Sequence, residues 1–320
     1  MREAAGQDLA VRVVMLDKQR RQWTEYFNTR DMAQMARMPP SLKMKTEVET
    51  MQYFLQSYQT GQIVKDVPDA RLGEMKNTVV RVGLFGLTGS GKSSFVNTVV
   101  KCVEGKDEEL AIVQSSGAEG TILLEEFALG GGGPAKKPGF KLLDTRGFDV
   151  LGDDAHKEML AILNGDIRSG QVIDREKCME TSMSGEDYKL SREVHVVLWF
   201  VKGSDPRLGS GSYQSHMAFL KMQLRKRTMK TLTIITHDDE LQRKSCTDQQ
   251  RRNIADQARE ITGSDQNDTY FLTNNIKGGP FPSEQEQHVL DIVKTALTAA
   301  EYTIRMRQSK RKLRTMKYMV

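Results

Sequence analysis

The octapeptide Gly86-Leu87-Thr88-Gly89-Ser90-Gly91-Lys92-Ser93 constrains this chain more than any other stretch. It follows the pattern G-x-x-x-x-G-K-[ST] throughout. The apolar run Val79–Phe85 reads as a buried strand just before it, and Ser94–Val100 as a helix just after it. A strand, a glycine loop and a helix in that order make a phosphate cradle. The glycines let backbone N–H groups turn inward, because no Cβ blocks the dihedrals that this requires.

From Asn77 onward, predicted strands and helices alternate, which is the mark of a mostly parallel sheet with helices on both faces. Thr121–Leu129 reads as a strand, and Gly130–Gly139 as a glycine- and proline-rich turn. Phe140–Asp144 follows as a second strand, so the pair suggests an antiparallel hairpin. Later strands fall at Val194–Val201, Thr231–Thr236 and Thr269–Thr273, with helices at about 210–228, 246–262 and 283–308. The last helix carries Val289, Val293, Leu297, Ala300 and Ile304 on one stripe. Residues 151–193 form an extra, helical segment. Ahead of all this, residues 1–75 read as a separate helical segment. Pro39-Pro40 breaks it, Ser41 caps a second helix through Tyr58, and Gly61 ends that helix. The expected organisation is a helical segment at 1–75, an α/β domain at 76–304 and a basic tail at 305–320.

The 320 residues leave room for one large domain, or for one domain and a smaller helical one. No stretch approaches the ~20 apolar residues that span a bilayer, and Asp8, Arg12, Asp17 and Lys18 interrupt any secretory pattern. Cys102, Cys178 and Cys246 are an odd, widely spaced set that fits no metal-ligand pattern, so a reducing, cytoplasmic compartment is the simple reading. Net charge is +5. The last twenty residues hold seven bases (Arg305, Arg307, Lys310, Arg311, Lys312, Arg314, Lys317) against Glu301 alone. Such a tail suits an acidic membrane, nucleic acid or a protein partner, or is a solvated helix end. No specific nucleic-acid motif accompanies it.

Two further motifs narrow the chemistry. Leu142-Leu143-Asp144-Thr145-Arg146-Gly147 places D-x-x-G at a strand's end. An Asp there faces the phosphate loop and can hold Mg²⁺ through water, and the Gly lets its N–H meet a terminal phosphate. Thr236-His237-Asp238-Asp239 ends the next-to-last strand and resembles the guanine motif [NT]-K-x-D, with His237 in the Lys position and Asp239 as the aligned acid. A carboxylate there accepts two hydrogen bonds from guanine that adenine cannot offer. Phe271-Leu272-Thr273-Asn274-Asn275 stands where a last base loop belongs, with Thr273 and Asn274 as contacts.

In order and on strand ends, these three motifs resemble a P-loop GTPase of the translation-factor (Ras-like) class. The Thr-His-x-Asp form is similar to the septin, AIG1 and chloroplast import-receptor branch, and Ala161–Ile167 resembles a stretch of the interferon-induced protein 44 family. The resemblance covers about residues 77–300 and implies a three-layer G domain that binds GTP or GDP with Mg²⁺ and carries two segments that reorder when the γ-phosphate leaves. It implies Gly86, Thr88, Gly89, Ser90, Gly91 and Lys92 around the phosphates, with Lys92 bridging the β- and γ-phosphates. It places Ser93 on Mg²⁺, Ser94 near the α-phosphate, Asp144 at the metal through water and Gly147 at the γ-phosphate. Thr121 is the candidate for the first switch threonine, on the metal and at the reacting phosphate, or it only begins a strand. Phe148 stands where small GTPases often carry a water-orienting Gln. Intrinsic hydrolysis is therefore expected to be slow, on the order of 10⁻³ s⁻¹ or less, unless Arg146, Arg207 or a partner across a homodimer supplies the missing group. The expected function is a slow GTPase acting as a conformational or assembly switch; a nucleotide-holding scaffold and a P-loop ATPase or kinase are the alternatives.

Overall fold

The computed structural model describes residues 40–64, 75, 77–106, 109–111, 124–131, 137–145, 147–148, 153–171, 192–210, 213–274 and 281–317. By Cα proximity the chain divides into two compact units, Met1–Glu49 and Thr50–Val320. Of the first unit, only residues 40–49 are described, as the opening turns of helix α1 (Pro40–Ser57). Pro40 opens that helix, where its missing N–H costs nothing. Gly61, in the left-handed region (φ 95), follows its end. The part of the expected helical segment before Pro40 lies outside the described residues.

The second unit is built on a six-stranded sheet. Its strands are β1 (Val80–Gly86), β2 (Glu125–Leu129), β3 (Phe140–Asp144), β4 (Val196–Lys202), β5 (Thr231–Thr236) and β6 (Thr269–Leu272). Their order is β2-β3-β1-β4-β5-β6. Every pairing is parallel except β2 with β3, the expected hairpin, in which Glu125 faces Asp144 and Leu129 faces Phe140. The helices are α2 (Lys92–Glu104), α3 (Asp153–Asn164), α4 (Gln214–Lys226), α5 (Asp238–Arg243), α6 (Asp248–Thr262) and α7 (Ser283–Lys317).

The central strands explain themselves. All seven residues of β1 and all six of β5 are buried, because a parallel strand between two helical layers has no wet face. Their side chains alternate between the layers. On one side Phe85, Leu143, Val197, Trp199, Val201 and Ile235 join a core with residues of α3, α4 and α6, and Phe85 stacks beside Trp199 on the neighbouring strand. On the other side α7 packs against α2, β1 and β4, and Phe95 of α2 meets Phe200 of β4 with ring centroids 5.2 Å apart. This is a three-layer α/β architecture with a mostly parallel sheet.

The chain reverses its direction of sheet growth at β1, which has β3 on one side and β4 on the other. A crevice opens beyond the carboxyl ends of the strands at such a point, and ligands of α/β sheets bind there. The ends of β1, β3 and β5 carry the three sequence motifs, and the end of β6 leads to Thr273 and Asn274. Among the described residues, no helix is long and apolar enough to cross a membrane. Helix α7 runs through Lys317, so the C-terminal bases from Arg305 to Lys317 lie on a helix.

Candidate functional site: a phosphate loop with two base-side loops

Strand β1 ends at Gly86, where the backbone has no room for a side chain. Its φ is 152, and a Cβ would lie 2.4 Å from the Phe200 carbonyl oxygen. The loop then turns with Ser90 N–H bonded to the Leu87 carbonyl (3.2 Å). Gly91, with φ 88, is the N-cap of α2. An L side chain at that φ is strained, and a Cβ would come within 3.0 Å of Asn274 Nδ2. The first N–H groups of α2 have no acceptor within the helix and sit at its positive pole. The result is a concave row of donors suited to an anion.

Lys92 opens α2 and is buried, at 5% exposure. Its ammonium folds back over the loop and donates to the carbonyls of Gly86 (3.3 Å) and Leu87 (3.1 Å). Ser93 Oγ donates to Asp144 Oδ2 at 2.6 Å. Asp144 is the last residue of β3 and is 7% exposed. Burial pushes its pKa up to about 6, against the pull of the Ser93 hydrogen bond and the Lys92 charge, while Glu125 across the hairpin pushes it further up. Its other oxygen, Oδ1, has no hydrogen-bond partner among the described residues. A hydroxyl and a carboxylate with a spare oxygen, side by side below a phosphate cradle, form a hard-oxygen donor set that fits Mg²⁺. Ser94 is buried in the first turn of α2, and Gly89 (φ 74) and exposed Thr88 complete the loop.

The D-x-x-G segment is fastened to this loop. Thr145 Oγ1 donates to the Leu84 carbonyl (2.6 Å), Phe148 N–H to the Gly86 carbonyl (3.3 Å), and Thr88 N–H to the Phe148 carbonyl (3.2 Å). Gly147 lies so close that a Cβ would sit 2.4 Å from Thr88 Cα. The Phe148 ring points away into the core, leaving 2% exposed. Thr121 and Arg146 lie outside the described residues. Arg207 follows β4 in a short 3₁₀ turn, where its guanidinium holds both oxygens of Asp205 (2.9 Å to each), and Tyr213 Oη donates to the same carboxylate at 2.8 Å.

From the ends of β5 and β6, two side chains grip the glycine loop. Thr236 Oγ1 donates to the Ser90 carbonyl at 2.8 Å, and Asn274 Nδ2 to the Gly91 carbonyl at 3.0 Å. A trans peptide points its C=O and N–H in opposite directions. Holding those two carbonyls from the β5 and β6 ends therefore turns the Gly91 and Lys92 N–H groups the opposite way, into the loop's concave face. Thr273, before Asn274, is half-buried. His237 takes a left-handed backbone (φ 61) and caps α5. Burial and then the Lys202 charge lower its pKa, so its ring is neutral at pH 7.

The adjacent acids part company. Asp239 stays half-exposed and pairs with Arg243 one turn on (2.8 Å). Asp238 turns inward, where Gln242 Nε2 donates to it at 2.9 Å and Arg251 pairs with it. Sequence reasoning missed Asp238, Arg251 and the side-chain role of Asn274. One signal was available: Arg251 stands near the start of α6, the end where a cation opposes the helix dipole.

No protein-family model matches the chain, and no curated protein matches it. Among solved structures it is similar to the FeoB G-domain from Methanococcus jannaschii, at 14% identity over 70% of this chain and 99% of that one, with a TM-score of 0.35. It is also similar to the translation elongation factor SelB from Methanococcus maripaludis, solved with the GTP analogue GppNHp, at 13% identity and a TM-score of 0.34. That match covers 68% of this chain and 34% of SelB. Both likenesses are remote.

Proposed function

We propose that this protein binds GTP and GDP with Mg²⁺, hydrolyses GTP slowly, and acts as a conformational or assembly switch. One observation carries the reading. Ser93 Oγ and Asp144, with its unpartnered Oδ1, meet beside a buried lysine at the mouth of a glycine loop.

Each residue has a task in that reading. The N–H groups of Gly89 to Ser93 hold the α- and β-phosphates, and Ser94 approaches the α-phosphate. Lys92 exchanges the carbonyls of Gly86 and Leu87 for the β- and γ-phosphates. Ser93 and, through water, Asp144 hold the metal, with Thr121 as its switch ligand. Bound Mg²⁺ supplies charge neutralisation on the β- and γ-phosphate oxygens. Gly147 presents its N–H to the γ-phosphate. Asp239 accepts from the guanine N1–H and 2-amino group once it leaves Arg243, and the neutral His237 ring lies against the base. Thr273 and Asn274 close the pocket.

The buried Phe148 ring has no group to orient water, which supports a slow rate and favours a second reading, a scaffold that holds nucleotide with little turnover. A second copy docked across the nucleotide face, as the septin- and AIG1-like resemblance implies, supplies the missing group in the first reading. The basic end of α7 is the surface for an acidic membrane or protein, in a cytoplasmic setting. Displacement of a fluorescent GDP by GTP, GDP and ATP, with and without Mg²⁺, tests the core of this. GTP and GDP are expected to compete in a Mg²⁺-sensitive manner and ATP to fail. Equal competition by ATP refutes the guanine assignment and leaves an ATPase or kinase.

A further inference from the structure

We propose that Arg251 is a positioning residue for base recognition, acting through Asp238 to hold the two base-side loops in one register. The inference rests on the guanine-binding reading above and adds what sets its selectivity.

Asp238 lies between His237 and Asp239, the two residues that would meet the base. Its own side chain points the other way, into the protein, with 8% of the residue exposed. A carboxylate buried there needs compensation, and it receives two kinds. Gln242 donates to Oδ2 at 2.9 Å, and the Arg251 guanidinium pairs with Oδ1. Arg251 comes from a different helix, thirteen residues on. The link therefore ties the His237–Asp239 turn to α6.

The same guanidinium makes a second contact. Its Cζ lies 4.2 Å from the centroid of the Phe271 ring, over the face where a cation is attracted. Phe271 is in β6, three residues before Asn274, whose amide holds the Gly91 carbonyl. One planar group thus bridges the loop that would carry the purine-selecting acid and the strand leading to the loop that grips the phosphate cradle.

The position of Arg251 argues for this role. A capping box of Thr247 and Gln250 already closes the start of α6, with Asp248 in its first turn. A cation near that end of the helix gains nothing from the helix dipole. Local helix stability therefore does not explain Arg251, whereas its two tertiary contacts do. A flat, delocalised cation is also the side chain that can pair edge-on with a carboxylate and stack face-on with a ring at once.

The test compares GDP with inosine diphosphate, which lacks the 2-amino group that Asp239 would accept. Equilibrium affinities for both are measured on the full chain as wild type, Arg251→Met, Arg251→Lys and Asp238→Asn. Arg251→Met keeps much of the packing over Phe271 but leaves Asp238 without its ion pair. The expected result is a fall of about tenfold or more in the preference for GDP. Asp238→Asn should behave alike, and Arg251→Lys should restore part of the preference. If Arg251→Met does not fold, Asp238→Asn carries the same comparison. A preference within about twofold of wild type in a variant with a lowered melting temperature overturns the proposal, because the pair then serves stability alone. A wild-type protein that binds neither nucleotide is a different failure and removes the guanine reading itself.

Discussion

Glu301 should be highly sensitive to substitution although it lies away from the candidate site. It lies in α7 with 0% exposure, and its carboxylate accepts from Tyr58 Oη (2.6 Å) and from the N–H groups of Gly61 (2.7 Å), Ile63 (3.1 Å) and Val64 (2.9 Å). Tyr58–Val64 is thereby clipped to α7 by one side chain. Glu301→Gln keeps the shape but turns one acceptor into a donor facing donors. Two bonds to a charge are lost, at about 1.5–3 kcal/mol each. Some of this returns, because burial outweighs the four donors and raises the carboxyl pKa, so the neutral amide is spared a desolvation cost. The net loss should be about 3 kcal/mol, equivalent to a fall of about 6–12 °C in melting temperature for a unit of this size. Thermal and urea unfolding measure it, with the urea slope unchanged. GDP affinity should hold, because the Tyr58 ring sits against Phe140 at the opposite end of β3 from Asp144. A shift under about 2 °C refutes the idea that this carboxylate clips the segment.

Replacing Phe148 by Gln should not restore hydrolysis. It should cost about 3 kcal/mol in urea unfolding, since the ring is core rather than site; a rise in single-turnover rate with unchanged stability counts against that. Gly147→Ala drives a methyl group into Thr88, and calorimetry should show GTP-analogue affinity falling by about tenfold or more, with GDP less affected. In metal-free protein the raised Asp144 pKa keeps a proton on the folded state between the ordinary carboxyl value of 3.8 and about 6. The folded state then binds more protons than the unfolded one, so stability should fall as pH rises through that window, by at most about 3 kcal/mol, and level off above it. Urea titrations of wild type and Asp144→Asn across pH 4–7 read this by difference, since the variant should lose the Asp144 share of the slope. Lys92→Met should reduce GDP and GTP affinity by about a hundredfold without unfolding the protein, as judged by nucleotide titration and circular dichroism.

Much of the site was written locally. A strand that must end in a turn with φ at 88 and 74 needs glycine at those points, so the phosphate loop can be read from eight letters. The same holds for Asp144 after Leu142-Leu143, since an apolar run predicts the strand and the strand's end predicts where the carboxylate emerges. The β2–β3 hairpin was legible from its glycine- and proline-rich turn. Choices between neighbours were not legible. Asp238 and Asp239 are the same residue type side by side, and the one that turns inward is the one that meets Gln242 and, from α6, Arg251. Nothing near Phe148 foretells that its ring enters a core shared with Leu124 and Met159.

The chain's order of motifs by itself determined an α/β sheet with a phosphate loop at one strand's end, because backbone dihedrals and strand periodicity are short-range properties. Tertiary structure alone decided how the phosphate loop is held from behind by Thr236 and Asn274, and how Tyr58–Val64 is clipped to Glu301. Those hydrogen bonds join residues more than a hundred positions apart. A buried donor or acceptor takes whichever partner the packed layers bring to it, and that is set by the whole sheet rather than by its neighbours in sequence.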